Sequence, residues 1–217
     1  MFIHHRASAG RPQLPRSVLW LEIARARATA VAGPAPSVLS QRCCRLVLVS
    51  LSFPEPAIPV SSRAEVFLGY LDYFRSRLVS KLEALPAGEL RRSRLPSGWT
   101  PIELLKHVAY DELRWLEWRF EGRCVGDPWA DDRDGRWYVA GDETLQELLA
   151  ALPAQAERSR AVVESHDLAD VGLPGEGWSA DGPASLERIL FHLLQEYARH
   201  LGHLDIVSEL ADGQIGE

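Results

Sequence analysis

Apolar side chains recur every three to four residues along much of this chain after residue 60, which is the spacing of one helix face. The first such stretch opens with Ser62-Arg63-Ala64-Glu65, a capping box with serine at the N-cap and glutamate three residues later. Pro86-Ala87-Gly88 closes it. Its apolar positions are Val66, Tyr70, Phe74, Leu78, Leu82 and Leu85. The pattern predicts an amphipathic helix between these two signals.

A second helix is predicted after Thr100. Thr100 is a suitable N-cap, with Pro101 at the first helical position and Glu103 at the third. We expect this helix to run to about Glu121, where glycines and Pro128 follow. The next segment, residues 129–142, is rich in Asp, Arg, Gly and aromatic residues, and we expect a solvated connection that folds over the mouth of a site.

A third helix is predicted from the capping box Thr144-Leu145-Gln146-Glu147 to about Ser165. Pro153 lies inside it and should bend or interrupt it, because proline lacks an N–H donor and clashes with the preceding turn.

The last predicted helix, residues 185–210, carries four residues that can bind metal or move protons. These are His192, Glu196, His200 and His203. Because four residues are slightly more than one helical turn, His192, Glu196 and His200 share one face. Two neighbours on such a face can bind one cation, but a third ligand must come from another helix. His107, early in the second helix, is the candidate.

A weak internal repeat supports a bundle. Residues 173–179 echo residues 95–100, and in both copies a helix follows whose cap precedes a histidine by seven residues. Two helix hairpins of this kind are typical of a four-helix bundle. The repeated tryptophans, Trp99 and Trp178, are expected to be structural anchors at the starts of their helices.

The first 60 residues differ from the remainder. Up to Pro54 they contain seven Arg, no Lys and a single acid, Glu22, and they keep no helical or strand period. We interpret residues 1–60 as a poorly ordered extension that is not part of the folded domain, with a transit-like peptide as the alternative.

Composition and charge exclude several function classes. The net charge of −6 gives no attraction to nucleic acid or to anionic lipid. No apolar stretch approaches the roughly 20 residues that cross a bilayer. Three cysteines without metal-type spacing indicate a reducing compartment, and we expect a cytoplasmic protein. A homodimer remains open.

His107, Glu196 and His200 together offer two imidazoles and one carboxylate, leaving coordination positions for water or substrate. Zn²⁺ accepts this set, and Ni²⁺ or Fe²⁺ would also fit. From spacing alone another interpretation stays open, in which the histidines are structural and Glu196 pairs with Arg188 or Arg199.

From about residue 61 to residue 217 the chain resembles the DinB-like superfamily of metal-binding bundles. That family starts its second helix with Gly-Trp-Ser/Thr-Pro before a ligand histidine, which corresponds here to residues 98–101 and His107. Its last helix carries His/Glu-x-x-x-His followed by glycine and a polar residue, here Glu196 to His203. The acidic first member resembles the mycothiol-dependent branch, which includes maleylpyruvate isomerase and thiol S-transferases. Many members have Gln where His203 stands, and residues 1–60 have no counterpart.

The resemblance implies an all-α, antiparallel four-helix bundle over residues 61–217, with His107, Glu196 and His200 as metal ligands. It implies a metal-dependent transferase or isomerase that activates a low-molecular-weight thiol, mycothiol or bacillithiol, toward a small-molecule substrate. His192, His203, Asp111 and Glu112 are candidates for supporting the ligands or contacting substrate. A metal-assisted hydrolase and a non-enzymatic ligand-binding bundle share the same ligands and remain alternatives.

Overall fold

The structure, a computed structural model, describes residues 51–212. In this part of the chain the α-helices are α1 (Arg63–Ala84), α2 (Pro101–Glu112), α3 (Leu145–Ser165) and α4 (Leu186–Asp212). A π-helical segment, Leu113–Phe120, directly continues α2. Two short strands, β1 (Asp132–Arg133) and β2 (Arg136–Trp137), pair antiparallel between that segment and α3. The described chain is therefore an all-α bundle with one small hairpin, which confirms the predicted fold class.

The helices begin where their capping residues predict. The Ser62 hydroxyl accepts a hydrogen bond from the Glu65 amide at 3.2 Å, which satisfies one free N–H of the first turn. At the start of α3, Thr144 and Glu147 cap each other's backbone amides at 2.8 and 3.2 Å. The three predicted helix starts that carry a capping signal are thus correct, since α2 also begins at Pro101 after Thr100.

The second helix differs from the prediction in its last eight residues. An α-helix to about Glu121 was expected, but the α-helical part ends at Glu112 and π-helix follows. The Glu121 amide, for example, donates to the Leu116 carbonyl five residues earlier. Apolar periodicity does not separate the two forms over so short a stretch. The wider turn changes the directions in which the following side chains point.

Pro153 does not interrupt α3, which is continuous from Leu145 to Ser165. Of the two expected effects, interruption is therefore wrong, and a bend stays a prediction. Leu152 and Gln155, on either side of the proline, are buried against the rest of the bundle. Tertiary packing of this kind holds a helix through a residue that would break it in isolation.

The core lies between the helices, and the most extensive packing joins α1 to α4. Its most deeply buried residues include Leu71, Leu78, Leu82, Leu104, Leu105, Leu116, Leu190, Leu193, Tyr197 and Leu204. These positions recur at helical spacing within each element, which is why the periodicity of the sequence predicted the helices.

A buried polar cluster links the four α-helices of residues 51–212. The Glu112 carboxylate in α2 is completely buried and accepts hydrogen bonds from Arg75 in α1, Ser159 in α3 and Tyr197 in α4. Glu112 was a candidate for supporting the metal ligands or contacting substrate. Its carboxylate points inward to this cluster instead, because adjacent helix positions point about 100° apart.

The predicted extension, residues 1–60, lies mostly outside the described residues. The described part of it, residues 51–60, contains no helix or strand. Within it the Phe53 ring makes edge contacts with Tyr70 and Tyr73 on α1, at centroid distances of 5.7 and 5.2 Å.

Candidate metal centre

His107 lies in the middle of α2, and both of its ring nitrogens face carboxylates. Nδ1 is 3.0 Å from Oδ2 of Asp131, and Nε2 is 3.2 Å from Oδ2 of Asp111, one turn further along the same helix. The indole of Trp137 stacks on the imidazole at a centroid distance of 4.2 Å. The ring is therefore held in one orientation from three sides.

Glu196 and His200 lie one turn apart on α4, so their side chains meet. Nε2 of His200 is 2.9 Å from Oε2 of Glu196. The His200 ring is buried, and its Nδ1 has no hydrogen-bond partner within residues 51–212. A buried nitrogen without a partner is costly unless something else binds there.

The two helices bring these residues together. The imidazoles of His107 and His200 lie edge to face with centroids 5.1 Å apart. Each of His107, Glu196 and His200 offers one potential ligand atom, and these atoms lie within 4.8 Å of one another. Two imidazoles and one carboxylate at this spacing are a donor set that fits a divalent cation of the Zn²⁺ type.

Arg114 closes a ring of charge around His107. Its two terminal nitrogens donate separately to Oδ1 of Asp111 and Oδ1 of Asp131, and the other oxygen of each carboxylate faces His107. Burial opposes ionisation of Asp111, but the neighbouring charges of His107 and Arg114 lower its pKa to about 2. Asp111 is therefore a carboxylate at any pH near neutrality.

Glu196 is also held in its charged form. The hydrogen bond from His200 is the largest influence and lowers the pKa of the Glu196 carboxyl, although partial burial acts against it. A carboxylate that stays ionised can act as a ligand without first losing a proton. Neither Arg188 nor Arg199 forms an ion pair with Glu196 in the described chain, so that alternative interpretation is not supported.

The other two histidines of α4 lie on opposite sides of this group. Nε2 of His192 is 3.9 Å from Oε1 of Glu196, and its half-buried ring meets Trp115 edge to face. His203 lies 5.6 Å from the His200 ring, and burial, followed by the charges of His200 and Arg199, lowers its pKa. Both rings lie next to the candidate ligands, and their supporting role stays a prediction.

Two tryptophans lie next to residues that surround the group. Trp99 lies 5.9 Å from Trp137 and 6.1 Å from His203. Trp178 lies 6.1 Å from Trp115, and its indole nitrogen donates to the Leu173 carbonyl. Both repeated tryptophans are partly buried against the core, and Trp99 also contacts the surroundings of the site.

Asp131 and Arg114 were not identified from the sequence. The acids at positions 131, 132 and 134 follow one another in a polar loop, and local spacing does not indicate which of them turns inward. Asp131 is 2% exposed, because the hairpin folds back over α2. The loop was expected to cover a site, and Asp131 and Trp137 are the residues through which it contacts His107.

The sequence profile of the mycothiol S-transferases matches residues 66–213, from the first turn of α1 to the end of α4. The chain belongs to the mycothiol S-transferase family. This family is part of the DinB-like superfamily, so the resemblance identified from the sequence is confirmed. Membership supports a mycothiol-related transferase function.

A search of curated proteins finds no match to this member of the mycothiol S-transferase family. None of its helices within residues 51–212 combines the length and the apolar character that a membrane crossing requires.

Proposed function

We propose that this protein is a divalent-metal-dependent transferase that joins mycothiol, or a closely related low-molecular-weight thiol, to a small electrophilic substrate. The observation that carries the proposal is the convergence of His107 with Glu196 and His200, in a chain of the mycothiol S-transferase family. These three residues would hold the metal, with Zn²⁺ as the first candidate and Ni²⁺ or Fe²⁺ as alternatives.

The bound metal would supply one chemical function, which is to lower the pKa of a thiol enough for it to react as the thiolate near neutral pH. The protein's own residues prepare for this. Glu196 stays ionised, because its pKa is lowered by the hydrogen bond from His200. Two imidazoles and one carboxylate leave further coordination positions open, which is typical of catalytic rather than structural sites.

His192 is proposed to accept the proton that the thiol loses. Its Nε2 is 3.9 Å from Glu196, and its side chain is 34% exposed, so it connects the ligand group with solvent. A group that both neighbours the reacting atoms and reaches water can pass a proton outward. Burial lowers the pKa of His203, which favours its neutral form and a supporting role beside His200.

Two aromatic side chains cover part of the same region. Trp137 covers one face of His107, and Trp115 packs against His192. Exclusion of water by these rings would strengthen electrostatic interactions at the reacting atoms.

The test is metal analysis of the purified protein followed by turnover assays with mycothiol, with bacillithiol and without thiol. We expect bound divalent metal and turnover of an electrophilic substrate that depends on both metal and thiol. Metal-dependent hydrolysis without thiol would replace the proposal with a hydrolase. Bound metal without turnover of any substrate would leave a non-enzymatic binding bundle.

A further inference from the structure

We propose that Asp131 is a positioning residue for the candidate metal centre, holding the imidazole of His107 so that Nε2 is presented to the cation. The inference rests on the proposed function. Asp131 lies directly before β1 of the hairpin, 24 residues after His107 in the chain. Its Oδ2 is 3.0 Å from Nδ1 of the His107 ring.

The carboxylate of Asp131 is itself fixed. Its Oδ1 accepts a hydrogen bond from Nη1 of Arg114, whose side chain is 3% exposed. The same Nη1 also donates to the Pro128 carbonyl at 3.2 Å. The Arg114 guanidinium also lies over the Trp129 ring at 4.7 Å. Arg114 therefore ties both the beginning of the loop and Asp131 to the π-helical segment.

A fixed acceptor at one ring nitrogen determines what the other nitrogen can do. When Asp131 accepts the Nδ1 proton, the lone pair of a neutral His107 lies on Nε2, which is the form that binds a metal. A charged acceptor also makes the imidazole a more basic ligand. Histidine ligands in proteins commonly carry such an outer carboxylate partner.

Asp111 is less suited to this task. It lies one turn from His107 on the same helix, and its Oδ2 is 3.2 Å from Nε2, a longer contact than the 3.0 Å between Asp131 and Nδ1. Asp131 instead connects the ring to a separate element, and Trp137 from the same loop stacks on the same ring. The loop thus sets the orientation of His107 through two contacts of different kinds, one polar and one aromatic.

The experiment compares Asp131→Ala, Asp131→Asn and the control Asp134→Asn. Asp134 is exposed on the same hairpin, and its φ of 56° suits asparagine, so the control makes the same charge change without touching His107. Zinc affinity is measured for each purified full-length protein by competition with a chromophoric chelator, and its thermal midpoint is measured without metal.

We expect Asp131→Ala to weaken zinc binding by about 10- to 100-fold, the range found when such outer partners are removed, while Asp134→Asn stays at the wild-type affinity. Asp131→Asn keeps an oxygen that can accept from Nδ1 but loses the charge, so its affinity should fall between these. If Asp131→Ala fails to fold, the near-isosteric Asn variant decides by the same criterion.

A second measurement separates positioning from a merely structural role. The imidazole nitrogens of His107 are observed by ¹⁵N NMR in the zinc-loaded protein, where we expect a hydrogen-bonded Nδ1–H in the wild type and a shifted Nδ1–H signal in the Asp131 variants. Wild-type protein that binds no zinc would refute the proposed function. Wild-type protein that binds zinc, with Asp131 variants of equal affinity and unchanged His107 spectra, would overturn the inference about Asp131 alone.

Discussion

Arg75 and Glu112 form a two-pronged ion pair in the centre of the bundle, with Nε 2.8 Å from Oε1 and Nη2 2.7 Å from Oε2. The Glu112 side chain is completely buried and that of Arg75 is 7% exposed. Ser159 and Tyr197 donate to the same carboxylate, so α1, α2, α3 and α4 meet at one charged group. A satisfied polar network of this kind fixes how helices pack against one another.

Removal of one partner of this pair should destabilise the protein strongly. Arg75→Met would leave the Glu112 charge buried without its counter-ion, and breaking a buried pair in this way costs about 3–5 kcal/mol. The same change at Arg92, which pairs with Glu89 near the surface, should have little effect. Urea unfolding of both variants measures the difference. Equal stabilities for the two would show that the buried pair does not hold the helices.

The same carboxylate should make stability fall in acid. Burial alone would raise the pKa of Glu112, but Arg75, Ser159 and Tyr197 lower it below its ordinary value of 4.5. A carboxyl with a lowered folded-state pKa stabilises the fold fully above the unfolded-state value, and this stabilisation is lost as pH falls through the folded-state pKa.

We therefore expect the free energy of unfolding of metal-free protein to decrease below about pH 4.5. Glu112→Gln should show a shallower decrease, because its side chain does not titrate. Glu209→Gln, at an exposed position of α4, is the matched control and should follow the wild type. Parallel curves for wild type and Glu112→Gln between pH 3 and pH 6 would contradict this account.

Two glycines should respond to alanine with opposite signs. A Cβ at Gly172 would lie 2.7 Å from Cζ2 of Trp178 and 3.1 Å from the Phe120 backbone, so Gly172→Ala should cost about 1–3 kcal/mol. Gly69 lies within α1 with nothing within 4 Å of such a Cβ, so Gly69→Ala should stabilise by about 0.5–1 kcal/mol. Thermal midpoints of the two variants provide the test, and a loss at Gly69 would be inconsistent with the open space there.

The N-terminal extension should be dispensable for folding. A chain that begins at Leu51 should keep the thermal midpoint of the full chain, because the apolar residues of 1–50 keep no helical or strand period that would form a buried face. A chain that begins at Val60 also loses the Phe53 contacts with Tyr70 and Tyr73, and should be less stable by about 0.5–1.5 kcal/mol per aromatic pair at most. A drop of many degrees already at Leu51 would show that the earlier residues pack on the bundle.

The sequence predicted the parts of this fold that local rules govern. Capping residues such as Ser62 and Thr144 and apolar spacing located the helices, because both act within a few residues along the chain. The π-helical segment was missed because its apolar positions over Leu113–Phe120 suit either helix type. The continuity of α3 through Pro153 depends on tertiary packing, which local propensity does not describe.

The candidate site also combines residues that local patterns predict with residues that only the tertiary fold brings in. His107, Glu196 and His200 were predicted from helical spacing and from family resemblance, and the structure brings them together. Asp131 and Arg114 depend on where the hairpin folds, and the partner of Glu112 lies 37 residues away on α1. Contacts between distant segments leave no periodic signal in a single sequence.

The most direct test of the metal centre is the zinc content of two single variants of α4. His200→Ala removes a proposed ligand, whereas His192→Ala removes a histidine one turn before Glu196 along α4. His166→Ala is the control, since that histidine bonds the Val162 carbonyl at the end of α3. Each protein is purified under identical conditions with zinc supplied, and its metal is measured by mass spectrometry. The account predicts that His200→Ala loses most of its zinc, while His192→Ala and His166→Ala retain it. Loss in His192→Ala with retention in His200→Ala would show that the ligand pair lies one helical turn earlier.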